Sequence, residues 1–472
     1  MNVLSDFWHR HQIRVIAAAT IVLLLSLAYW GGFPEHVSIG ILAFGLAFLI
    51  GVVLFFGFLV YYFYIAPLPE KEQSGLAVST PSPKIRYIVG TGATIAATFI
   101  TIGLFWDELW HRLYGVSVVI NDFLWRPHIL LYAGMGINAI FALGGMFIIM
   151  QNGKGTLRQR FRAEPLIGLL TLAAGFQIIT APLDPMWHQI FGLDITAWSL
   201  PHLLLGTGLL TVMLVGSSIQ FSLVERRSWH IFGSISLNEV LTFVLMALAA
   251  TVLFQFGTTE WENIGTNIDP TYSFFQRPEW LYPVVLISMS LFIGMAALHL
   301  TKRVGSATLV FVMALLLRLV LMNVFNAAVA DMSYKADLLT IAPVIALDLW
   351  YAYRLRSGQI DAPSTWFGGS LVLALATFVI TLPLIGQMMN YPRLYPTVII
   401  GMVVFGLVMA IAAGWAGSHV GAWLRTLGQP AEEQSVAPAI GTQRIFWVGA
   451  GALVAVLVFM AVFISTATPP VL

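Results

Sequence analysis

An all-α bundle of membrane-crossing helices is the fold class this chain predicts, and three observations carry the prediction. Of its 472 residues, 58% are hydrophobic and 10% charged, where a soluble domain carries about 25% charged residues. The apolar residues fall in runs of about 20, the length that crosses a hydrocarbon core. Loops rich in cations alternate with loops rich in acids, the asymmetry expected across a membrane with two unlike faces.

Taken in order, spans are expected near 13–30, 37–65, 86–106, 128–150, 165–183, 200–221, 237–257, 281–300, 304–326, 338–353, 366–386, 396–415 and 446–466, about thirteen transmembrane helices forming a polytopic bundle. The first run follows a polar start containing His9, Arg10, His11 and Arg14. It is long enough to span and lacks a small-residue cleavage site, so it reads as a helix rather than a removed leader. Lys154, Arg158, Arg160 and Arg162, then Arg226 and Arg227, Lys302 and Arg303, and Arg354 and Arg356 fall on one side, which is assigned to the cytoplasm together with the N-terminus. The chain divides into 1–85, an N-terminal two-helix segment with a linker; 86–222, a core of paired hairpins; 237–426, further membrane helices; and 427–472, a linker with a last helix. The stretches 66–85 and 427–443 are rich in Pro, Ser, Gly, Glu and Gln and are given no structure.

Composition also excludes chemistry. A net charge of +1 without a basic stripe gives nothing to track phosphates, so nucleic acid is not an expected partner; the lipid bilayer is. The absence of cysteine rules out disulfides and thiolate metal sites and leaves His, Asp, Glu and Met as ligands. The 17 methionines are scattered without an M-x-x-M run and read as packing.

One polar constellation occurs twice. Asp107-x-x-Trp110-His111 is followed by Pro127-His128, and Asp184-x-x-Trp187-His188 by Pro201-His202. In each, Asp and His stand four residues apart, one turn apart on one helix face, and the second His follows a Pro suited to the first turn of the next helix. Both clusters fall at the same ends of their spans, and the hairpins 86–150 and 165–221 read as a tandem parallel repeat. Two imidazoles and a carboxylate can hold copper, zinc or non-haem iron. The same residues can also cap helices and pair with each other without any ion.

The stretch Asp184-Pro-Met-Trp-His188-Gln, with Asp194 and Pro201-His202, resembles the metal-binding segment of the C subunit of particulate methane and ammonia monooxygenases. The likeness covers about residues 86–222. It implies copper ligands at Asp107, His111 and His128 and at Asp184, His188 and His202, companion membrane subunits, and O2-dependent oxidation of a small apolar substrate in a prokaryotic cell membrane; the loop charges place both clusters near its extracytoplasmic face. The chain departs from the family in having Asp in both clusters, a longer first loop and a long C-terminal half. A non-catalytic copper- or zinc-binding protein, or a structural subunit of a larger complex, is the competing expectation.

Other polar residues are read more plainly. Trp110 and Trp187 are expected at the membrane interface. Glu108, Asp122 and Asp194 are candidate acceptors for the imidazoles, and Glu260 and Glu262 lie in a long aromatic-rich loop. Counting from the loop ends pairs Arg318 with Asp348 between adjacent spans. Asn323, Asn326, Asp331, Tyr334 and Asp337 gather near that hairpin's outer end, and His36, His230, His299 and His419 read as isolated packed side chains.

Overall fold

The computed structural model describes residues 18, 22, 39–69, 83–114, 124–152, 155–191, 198–227, 230–232, 235–258, 278–327, 334–389, 395–428 and 442–467. Apart from a minimal ladder pairing His230–Phe232 with Ile235–Ser236, the secondary structure is helical. Eleven helices among the described residues are long and apolar enough to cross a membrane. The helices of the described residues are, in chain order, α1 (Ile39–Val60, closed by a π turn, Tyr61–Ile65), α2 (Pro83–Tyr114), α3 (Arg126–Asn152), the short α4 (Leu157–Ala163), α5 (Pro165–Thr180), α6 (Leu183–Phe191), α7 (Leu200–Arg227), α8 (Leu237–Gly257), α9 (Leu281–Thr301), α10 (Ser306–Val324), α11 (Lys335–Arg356), α12 (Pro363–Ala376, running through a π turn, Thr377–Thr381, into α13, Leu382–Met389), α14 (Pro396–Gly428) and α15 (Thr442–Ser465); the eleven spans are α1, α2, α3, α5 with α6, α7, α8, α9, α10, α11, α12 with α13, and α14. The expected span at 13–30, apart from residues 18 and 22, and Asp122, Asp194, Glu260, Glu262, Asp331 and His36 lie outside the described residues.

Burial sorts the helices. Residues of α2, α7, α8 and α9 are mostly buried, whereas α1 has scarcely a fully buried residue: it packs one side, around Leu49, on Phe176 and Leu204 and exposes the rest of its apolar length, as a peripheral helix facing lipid should. Local sequence explains several boundaries. Pro165, Pro363 and Pro396 stand at the first helical turn, where the missing N–H costs nothing. Ser236 caps α8 through the Glu239 N–H. Thr156 and Gln159 form a reciprocal capping box on α4.

The cationic loops gather at one end of the bundle and act as caps there. Arg158 and Arg162 donate to the carbonyls of Tyr62 (2.7 Å) and Phe63 (2.8 Å) respectively, and both reach the carbonyl of Ala66, so orphan acceptors at the end of α1 are filled by guanidinium groups. At this arginine end, Arg86 also forms a buried ion pair with Glu164 (2.8 Å) and donates to the Gly428 carbonyl (3.2 Å), joining α2, α5 and α14.

Two packing devices shape the C-terminal half. Along α14, Gly417 and Gly421 lie so close to α9 that a Cβ on either would collide with the backbone of Phe292 or Ala296. In α11, Pro343 lacks the N–H that would bond the Leu339 carbonyl; Thr381, in the π turn after α12, donates its hydroxyl to that oxygen at 3.0 Å. Thr381→Val is expected to strand the carbonyl and cost about 1–3 kcal/mol. Adding Pro343→Ala, which restores the helix's own donor, should recover much of that loss. Thermal unfolding of the detergent-solubilised variants checks both, and equal stability of the single variant and the parent would contradict the assignment.

The sequence pairing of Arg318 with Asp348 is not what forms. Asp348 accepts from the Gly305 N–H (2.9 Å) and from the N–H and hydroxyl of Thr308 (2.6 Å each), capping the start of α10 from the neighbouring helix. Arg318 turns instead to Asp337 and Gln255. The contacts 308 with 348 and 318 with 337 keep one antiparallel register between α10 and α11, so Asp348 stands about three turns below the level of Arg318.

Candidate metal centre

The first cluster sits where α2 ends and α3 begins, at the end of the bundle opposite the arginines. An unbroken α2 carries Asp107 and His111 on one face, and Pro127 starts α3 so that His128 enters in its first turn. His128 Nε2 lies 3.0 Å from Asp107 Oδ1 and His111 Nε2 lies 3.7 Å from it. One ligand atom from each of the three residues falls within 4.8 Å of the other two. Ligands held about 2.0–2.2 Å from a common ion stand roughly 3.3–4.3 Å apart, so small side-chain rotations bring this triplet onto one cation. Side-chain exposures of 17% for Asp107, 27% for His111 and 18% for His128 leave the cluster half-buried and open to one side.

A residue that the sequence reading passed over completes the site. Trp125 donates its indole N–H to Asp107 Oδ1 at 3.1 Å, and its ring packs edge-on against both imidazoles, with centroids 5.1 Å from His111 and 5.4 Å from His128. Behind it stand Trp110 (5.3 Å), then Trp106 and Tyr114, against Phe325 of the chain segment after α10. Trp110 and Trp187 are both buried, 8% and 6% exposed. The aromatic wall shields one flank of the Asp/His cluster from water, which strengthens any electrostatic interaction there. Trp125→Phe keeps the ring but removes the donor. Metal affinity is expected to fall by roughly 10–100-fold, the usual cost of losing a residue that orients a ligand, and isothermal titration of the metal-free protein measures it.

The second cluster is assembled differently. Pro182, which cannot donate to the helical ladder, separates α5 from α6. Asp184 and His188 lie on α6; the side chain of His188 is outside the described residues. His202, in the first turn of α7, brings Nε2 to 3.1 Å from Asp184 Oδ1, and its Nδ1 is 3.0 Å from the Ser199 hydroxyl, which fixes the ring's orientation. Two of the three expected residues thus meet. The clusters share one end of the bundle: Tyr132, one turn beyond His128 and 5.8 Å from its ring, lies within electrostatic reach of both Asp107 and Asp184, and Asp107 within reach of His202.

The remaining candidates have other partners. Glu108 pairs with Arg112 on its own helix at 2.8 Å rather than with an imidazole. Arg126 donates to the Phe463 carbonyl (2.9 Å) and the Thr466 hydroxyl (3.0 Å), fastening α15 beside the cluster. Asn323 donates to the Leu319 carbonyl of its own helix. His299 packs on Tyr351 and His419 on Trp415, both away from the two clusters. Compared with protein-family models, curated proteins and solved structures, the chain gives no match.

Proposed function

We propose that this integral membrane protein binds a redox metal, copper, through Asp107, His111 and His128, and a second ion through Asp184, His188 and His202, in two hairpins that form a parallel repeat. The observation that carries the reading is the convergence of three ligand atoms from two helices within 4.8 Å. Three protein ligands leave coordination positions open. A bound copper ion would supply the one-electron chemistry needed to activate O2.

The chain's own contributions follow from the geometry. Asp107 brings negative charge that offsets the cation, His111 and His128 fix its position from two different helices, and Trp125 holds the carboxylate and excludes water from one side. The apolar helix surfaces around the cluster favour a small hydrocarbon-like substrate arriving from the bilayer. The resemblance of residues 86–222 to the C subunit of copper membrane monooxygenases supports this choice of metal and reaction. It also favours a prokaryotic inner membrane, an extracytoplasmic site and companion subunits.

Metal analysis and electron paramagnetic resonance of the purified protein test the reading. Stoichiometric copper together with O2 consumption under a reductant is the expected result. Bound copper or zinc without O2 uptake would assign a metal-handling or structural role instead. Protein that takes up no metal after incubation with copper, zinc or ferrous iron would leave only Asp–His pairing, which the 3.0 Å contact satisfies as an ordinary charge-assisted hydrogen bond.

A further inference from the structure

Away from the metal centre, the two halves of the chain meet over a buried charge pair. Arg318 of α10 and Asp337 of α11 are each 1% exposed. Arg318 donates to the Gln255 side-chain carbonyl on α8, and its guanidinium lies 5.5 Å from the Phe105 ring on α2, two residues before Asp107. Its Nε is 3.7 Å from Asp337 Oδ2, too far for a hydrogen bond. Its own main-chain N–H apart, neither oxygen of Asp337 accepts a hydrogen bond from the described residues, and Gln255 Nε2 has no partner there either.

A clamp selected only for stability does not look like this. A buried ion pair repays its desolvation only when the geometry is close and the remaining lone pairs are bonded. Here, among the described residues, the carboxylate keeps almost all its accepting capacity in reserve, one cation stands beside it at a loose distance, and the Gln255 amide donor is unused. Ionisable groups inside a membrane bundle are candidates for function, proton relays among them. The nearby Arg318 disfavours a metal cation, and a proton needs no added volume. From the geometry we infer that Asp337, with Arg318 and Gln255, is a reversible proton-binding site within the membrane-spanning bundle.

The surroundings are otherwise nearly free of titrating groups. Among the described residues of the helices packed on α11, α10 brings Arg318, and α9 brings Tyr282 and, at the arginine end, His299. α12, its π turn and α13 bring no ionisable side chain. Glu239, in the first turn of α8 and far along that helix from Gln255, is at the arginine end and paired with Arg303. On α11 itself, Asp348 is bonded to the start of α10 and Lys335 precedes Asp337 by two residues.

Infrared difference spectroscopy across a pH titration tests the site in metal-chelated protein, so the outcome is independent of the metal reading. The expected result is a protonated-carboxyl band that grows on acidification, disappears in Asp337→Asn, and titrates at a different pH in Arg318→Gln. His128→Ala should leave it in place. The paired neutral variant, Arg318→Gln with Asp337→Asn, guards against misfolding of either single variant and should also lack the band. Identical pH-dependent carboxyl spectra for the parent and Asp337→Asn, or for the parent and the paired variant, would overturn the inference and leave a permanent charge pair.

Discussion

His128→Ala is expected to strip the ion from the first cluster, with affinity falling well beyond the roughly 10–100-fold that removal of a supporting residue costs. His128 is the sole ligand that α3 contributes, so without it Asp107 and His111 stand on one helix with nothing opposite them. Asp107→Asn separates charge from shape: the amide keeps the volume but loses the negative charge that balances the cation, and should lose metal nearly as completely. His202→Ala should leave the first ion bound and remove the second. Binding should also weaken on acidification, because an imidazole must shed its proton to ligate. Metal content and spin signal of the four proteins give the answer. Unchanged metal in His128→Ala and Asp107→Asn would place the ion elsewhere.

Arg318→Ala is the second large effect. It leaves an ionised Asp337 buried without Arg318, and breaking a buried pair in this way costs about 3–5 kcal/mol, less at acid pH where the carboxyl takes up a proton. Replacing both residues by apolar ones of similar size, Arg318→Met with Asp337→Leu, should restore or exceed the parent's stability, since such replacements are often neutral or favourable by about 1–4 kcal/mol. Thermal unfolding in detergent distinguishes the two. If the double variant is as unstable as Arg318→Ala, the pair's contribution lies in something other than charge compensation.

What could be read from the residues alone divides along physical lines. Hydropathy marks the spans because the bilayer imposes one length on them; Leu237–Gly257 matches its expected limits, with Ser236 as a visible cap. It stops short where a helix continues past its apolar stretch: α2 runs on to Tyr114 through Asp107 and His111, and α14 to Gly428. The Asp/His triplet was legible because a four-residue spacing fixes a helix face and Pro127 fixes a helix start. Trp125 was not, since the target of an indole N–H depends on how two helices meet. The signal was present only as an indole three residues before His128. Arg318 shows the same limit. Counting from loop ends gives each residue a height only if the ends are rightly placed, and α11 begins at Lys335, three residues before its expected start. Asp337 and Asp348 share nearly one face of α11, so the face was right and the level wrong.

The glycine seam between α9 and α14 bears on traffic through the wall of the bundle. With Gly417 and Gly421 pressed onto the backbone of Phe292 and Ala296, these two helices leave no slit wide enough for a molecule dissolved in the bilayer. Gly136 and Gly144 of α3, by contrast, have no neighbour within 4 Å of where a Cβ would stand, and Ile140 and Phe147 are exposed beside them, so this face of the helix that begins near His128 lies open on the outside of the bundle.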